Sequence, residues 1–166
     1  MARKPKSKSR SSVEKRLTVI QQVWSKEFWD RSDSEKTYYD RPDAKLKRCV
    51  YRLVRDCIKG GCLDILEESA EFQLGGKSHL KPSERNEANP FYWGLTAVCG
   101  DKNKLPRTTK SRFAQELLYA HMHDVPSHFL IGFIHQIGPS RDYQDEIDNG
   151  KMQRWFERQQ KSAAIE

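Results

Sequence analysis

A chain of 166 residues is long enough for one domain with a real core, but only 36% of it is hydrophobic and 32% is charged, so that core is modest. No apolar run approaches the roughly 20 residues of a membrane span, and the basic N-terminus lacks the apolar segment of a secretion signal. The expectation is a cytoplasmic protein with no membrane partner, associated with the nucleoid in a bacterium or with the nucleus in a eukaryote.

The net charge of +7 is unevenly spread. In residues 1–16, Arg3, Lys4, Lys6, Lys8, Arg10, Lys15 and Arg16 stand against Glu14 alone, which leaves only +1 for the rest of the chain. Residues 1–11 also contain no large apolar side chain after Met1. Such a composition does not offset the entropy of ordering, so a disordered basic arm is expected there. Arg3, Lys4, Lys6, Lys8 and Arg10 are its candidate phosphate contacts, since basic clusters attract phosphate polymers by counterion release. A solubilising tail is the alternative for the same charges.

Beyond the arm, a helical domain is expected over 12–140 and a C-terminal helix or tail over 141–166. The first helix spans 12–30, capped by Ser12, with Val13, Leu17, Ile20, Trp24 and Phe28 on one face. A connecting loop follows over 31–41, where Tyr38 and Tyr39 beside Arg41 could stack on bases. Pro42-Asp43 opens the clearest helix of the chain. Leu46, Cys49, Val50, Leu53, Val54, Cys57 and Ile58 form its apolar stripe, and Gly60-Gly61 its exit. Its other side carries Lys45, Lys47, Arg48, Arg52, Arg55 and Lys59, read as a solvated face. A short helix over 62–72 places Leu63, Leu66 and Phe72 inward. The polar stretch 73–88 reads as a long loop, with short strands in a winged variant. Asn89-Pro90 then favours a helix ending near Gly100, against which a strand stands as the alternative because Tyr92, Trp93, Thr96 and Val98 suit sheets.

The stretch Leu105–Gly138 is the one around which the rest is expected to be organised. Thr108 or Thr109 caps its first helix, and Phe113, Leu117, Ala120 and Met122 supply the apolar side. Pro126 fits the first turn of a second helix, on which Phe129, Leu130, Phe133, Ile134 and Ile137 recur at 3–4 residue spacing. With Ala120 at the small-residue position, Asp124 at the turn, and Val125, Leu130 and Phe133 at apolar positions, residues 116–135 resemble the helix-turn-helix of DNA-binding regulators. His123 departs from that pattern, which prefers an apolar residue there. An ordinary helical hairpin is the alternative. The resemblance implies that Ser127, His128, Ile131 and His135 face the groove. The acid-free run Lys102, Lys104, Arg107, Lys110 and Arg112 leads into the motif as a second set of phosphate contacts.

The four cysteines, Cys49, Cys57, Cys62 and Cys99, read as reduced core thiols. A structural zinc on Cys57, Cys62, His79 and Cys99 is a weak alternative, because no second close pair exists; otherwise no metal or cofactor is expected. His121 and His123 point to opposite sides of a helix, and His128 and His135 lie about 10 Å apart along one; all four read as helix-surface side chains. The run 121–124 does not meet the metallohydrolase pattern His-x-His-x-Asp-His. The chain has no G-x-S-x-G, no G-x-x-x-x-G-K-[ST] and no G-x-G-x-x-G.

The expectation is thus a mainly α protein that binds duplex DNA without catalysis, of the kind that phages and plasmids carry. Met152, Trp155 and Phe156 on a C-terminal helix would hold a homodimer. A protein for RNA or single strands and a protein-interaction or inhibitor module are the alternatives.

Overall fold

The computed structural model describes residues 10–29, 40–75, 88–100, 105–137 and Asn149. These form six helices and no strand among the described residues: α1 (Arg10–Trp29), α2 (Pro42–Gly60), α3 (Leu63–Leu74), α4 (Pro90–Cys99), α5 (Arg107–Met122) and α6 (Leu130–Ile137). No helix among the described residues is long and apolar enough to cross a membrane.

The organising element is α4, not the stretch 105–138. It carries no charged residue, and Phe91, Tyr92, Gly94, Leu95, Thr96, Ala97, Val98 and Cys99 are all buried. A helix that is apolar on every side has no stable place except inside. It packs against α1, α2, α3 and α5. The helix alternative for 89–100 prevails over the strand because of its first turn. Asn89 Oδ1 accepts from the Phe91 N–H at 3.0 Å, and Pro90 needs no partner there. The Asn89 amide also donates to the Ala114 carbonyl at 3.1 Å, tying α4 to α5.

The α2 stripe is buried much as its spacing predicts, with Leu46, Val50, Leu53, Val54 and Cys57 inside and Cys49 and Ile58 half-buried. Gly61 takes the left-handed conformation (φ 64°, ψ 38°) that ends the helix, and the Cys62 N–H reaches back to the Cys57 carbonyl at 3.0 Å. Tyr51 stacks on Phe91 with ring centroids 5.7 Å apart and donates its hydroxyl to the Val125 carbonyl at 2.8 Å. Burial pushes its phenol up to about 12.

Several boundaries differ from expectation. Helix α1 starts at Arg10, so Arg10 and Ser11 belong to the helix rather than to an arm ending at 11, and Ser12 lies inside the first turn instead of capping it. Pro106, not Thr108 or Thr109, holds the cap position of α5. The second helix of the pair begins only at Leu130, with Pro126–Phe129 forming a separate turn closed by the Phe129 N–H on the Pro126 carbonyl at 2.9 Å. Phe72 points outward and is 84% exposed, because Ile65, Leu66 and Ala70 take the inner side of α3. Met122 is exposed at the end of α5. The Phe28 side chain, Tyr38, Tyr39, the loop 76–87 and the segment bearing Met152, Trp155 and Phe156 lie outside the described residues.

Candidate nucleic-acid interface

The side of α2 that reads as a solvated basic face is largely committed to holding the α5–α6 pair. Arg52 donates to the Ser127 hydroxyl at 3.0 Å. Arg55 donates to the Val125 carbonyl at 2.8 Å and pairs with Asp124. Lys47 lies inside, with Nζ 2.6 Å from Glu116 Oε2 and the two side chains only 9% and 8% exposed. These contacts run α6 antiparallel to α2. Ser127 meets the middle of α2, while Ile131, Ile134 and His135 meet its start at Arg41, Ala44 and Lys47.

The expected contact residues therefore divide. Lys110 is only 6% exposed and donates its ammonium to the Gly100 carbonyl at 3.2 Å, where it closes the C-terminal end of α4. That corrects its placement among the phosphate contacts. A cation at a helix C-terminus faces the negative end of the dipole, which explains the inward turn. Ile131 is 3% exposed and packs in the core, so it does not face a groove; an isoleucine on the apolar stripe of a short helix has nowhere better to go. Ser127 is half-buried and holds Arg52. Arg10 pairs with Glu14 at 2.9 Å and with Glu68 on α3, which makes it a tie between helices instead of part of a loose arm. Arg107, Arg112, His128 and His135 are exposed as expected. Arg3, Lys4, Lys6, Lys8, Lys102 and Lys104 lie outside the described residues.

Between α2, α5 and α6 opens a cleft of about 330 Å³. Its apolar wall is Ala44, Phe113, Ile131 and Ile134, and its charged groups are Arg41, Asp43, Lys47, Arg112 and Glu116, with His135 at the lip. Glu116 is shared: Lys47 sits at 2.6 Å and Arg112 at 3.9 Å, so two cations flank one carboxylate. Both cations also lie over the Phe113 ring, at 4.0 Å and 5.4 Å from its centroid. Nothing in the chain order announces this cleft, but one signal was available. Lys47 falls between Ala44 and Tyr51 on the α2 stripe, and Glu116 between Phe113 and Ala120 on the α5 stripe. A charge on each of two apolar stripes calls for a buried partner.

No family model, curated protein or solved structure matches the chain. The reading of the site rests on its own residues.

The histidines are not all surface groups. His123 is buried, with Nδ1 2.8 Å from the Tyr119 carbonyl and its ring edge-on to Tyr119 and near Phe133. His121 is half-buried against Phe91, and its Nδ1 has no hydrogen-bond partner. Burial first, and then the Arg55 and Lys59 charges, hold its pKa below the usual imidazole value, with Asp124 opposing them. Below about pH 6.5 the unfolded chain therefore binds a proton that the folded chain resists, so stability is lost on acidification and fully present above that range. Urea midpoints at pH 7.5 and 5.5 should show the protein less stable at the lower pH, and His121→Gln should shrink the difference. An equal difference in the variant would place the effect elsewhere.

For zinc, Cys57, Cys62 and Cys99 are buried free thiols, and His79 lies outside the described residues. Burial, reinforced by the neighbouring Cys62, pushes the Cys57 thiol up to about 12, away from the thiolate a metal requires. No group of three or more His, Cys, Asp or Glu side chains among the described residues is placed to hold a metal.

Proposed function

We propose that the protein binds nucleic acid without catalysis, as a small regulator acting on duplex DNA. The observation that carries the reading is the segregation of charge, with a net +6 in residues 1–16 and an acid-free basic run at 102–112. Arg107 and Arg112 lie exposed near the start of α5, whose first turn contains no acid. The positive end of the helix dipole adds to their field. The helix-turn-helix comparison gains support from Asp124, which adopts φ 52° at the turn position the pattern gives to glycine. In this reading His128, His135 and Gln136, the exposed residues around α6, face the groove in place of Ile131. Phosphate contacts position the protein, and these side chains read the bases.

Fluorescence anisotropy against duplex DNA, single-stranded DNA and a structured RNA, at several salt concentrations, tests the reading. Submicromolar duplex binding with a steep negative salt slope is expected. Replacing Lys102 and Arg107 by Gln should weaken it and reduce the slope by about one for each lost phosphate contact. Flat curves for all three probes at low salt would overturn the reading, and a preference for single strands or RNA would redirect it.

A second reading, a protein-interaction module, is favoured by the apolar side chains left outside: Val19 (58% exposed) and Val23 (45%) on α1, and Phe72 on α3. Deleting residues 1–9 separates the two. The nucleic-acid reading expects a loss of affinity for DNA, whereas a protein partner docked on these helices would be unaffected.

A further inference from the structure

We propose that the cleft between α2, α5 and α6 binds a nucleoside monophosphate, with the base on the apolar wall and the phosphate at the cationic mouth. Three observations lead there. The volume of about 330 Å³ lies at the small end of ligand sites, roughly 300–1,000 Å³, which suits one ring system with one charged group. The wall is made of Phe113, Ile131 and Ile134, flat and apolar enough to take one face of a base. The charges do not balance: Lys47 and Arg112 share the single carboxylate of Glu116, leaving one positive charge over, and Arg112 is 52% exposed at the mouth.

An anion is the natural complement of that surplus. Arg112 is the better placed of the two cations, since its guanidinium reaches solvent while Lys47 stays inside against Glu116. A guanidinium offers paired N–H donors in one plane, matched to two phosphate oxygens. The same guanidinium lies over Phe113, so one side chain spans the apolar and anionic halves of the site. Arg41 and His135 stand at the lip, where a phosphate would add to the contacts they already have. A lone inorganic phosphate uses only the mouth and a nucleoside only the wall, so each binds more weakly than the ligand that joins them. The ligand can be a free mononucleotide or the 5′-phosphorylated end of a strand, which share this chemistry. The inference does not depend on groove binding of duplex DNA.

Titration of the full chain with adenosine 5′-monophosphate, adenosine and inorganic phosphate, followed by NMR shifts of Phe113, Ile131 and Ile134, tests it. Saturable shifts are expected with the monophosphate, and at least tenfold weaker binding with the other two. Arg112→Gln should weaken the monophosphate at least tenfold while leaving the circular dichroism spectrum and melting unchanged. Arg41→Gln should act in the same direction. If the monophosphate moves none of these resonances at millimolar concentration, the inference is overturned, and duplex binding measured on the same sample reports separately on the nucleic-acid reading. If adenosine binds as tightly as its monophosphate, the anionic half of the assignment fails and the inference with it. Competition by an oligonucleotide with a 5′-phosphate, but not by its 5′-hydroxyl form, assigns the site to strand ends. Competition by neither, with the monophosphate still bound, assigns it to the free nucleotide.

Discussion

Glu116→Ala should lower the unfolding free energy by about 3–5 kcal/mol, the largest single effect expected from any charged residue here. The carboxylate is 8% exposed, and Lys47 Nζ lies 2.6 Å away with its own side chain 9% exposed. Removing the acid leaves an ammonium enclosed by Phe113, Ala44 and Ile131 with no counter-charge and little water. Lys47→Ala leaves the reverse problem, softened because Arg112 stands 3.9 Å from the same carboxylate. The loss should therefore be smaller for Lys47→Ala than for Glu116→Ala. Replacing both residues by methionine keeps the volume and removes both charges, and should return stability to within about 1 kcal/mol of the parent or above it, as buried pairs replaced by apolar residues often do. Urea unfolding followed by circular dichroism gives all four corners of the cycle. A Glu116→Ala loss below about 1 kcal/mol would mean that water reaches the pair and that the cleft is wetter than its lining implies.

Gly94→Ala should cost about 1–2 kcal/mol although alanine is the better helix former by roughly 1 kcal/mol. A Cβ at position 94 would lie 2.5 Å from Val54 Cγ2 and 3.1 Å from Val50 Cγ1. Both valines are fully buried, and a β-branched side chain in a helix has essentially one rotamer, so neither can swing aside. Helices α2 and α4 must part instead, and α4 is held on its other sides by α1, α3 and α5. Gly94→Leu should be worse, beyond about 3 kcal/mol. Adding Val54→Ala to Gly94→Ala should recover part of the loss, because the new methyl then occupies the space the valine vacates. Urea midpoints of the single and double variants check this; a Gly94→Ala protein as stable as the parent would show that the contact gives way without cost.

The two stability effects bear on function in different ways. Gly94 sets how closely the core helices approach, remote from the cleft. Lys47 and Glu116 shape the cleft itself. Loss of their charges should therefore alter ligand binding even where the double methionine variant folds as well as the parent.

What the sequence determined by itself was local. The α2 stripe, its proline start and its Gly61 exit depend on residues within a few turns of one another, and so does the Asn89-Pro90 start of α4. The helical class and the skew of positive charge toward residues 1–16 are likewise readable without coordinates. Tertiary structure decided whatever depended on which helix met which. Lys110 and Ile131 look like contact residues when only neighbours in sequence are counted, but one lies at the end of α4 and the other in the core. Phe72 looks like a core residue by spacing, yet Leu66 and Ala70 already fill the inner side of α3. The same holds for Lys47 and Glu116: each stripe shows a charge out of place, and only the packing of α2 against α5 brings the two within 2.6 Å and opens the cleft beside them. Desolvation and pairing are properties of a position in space, and positions far apart in the chain acquire them only when the helices pack.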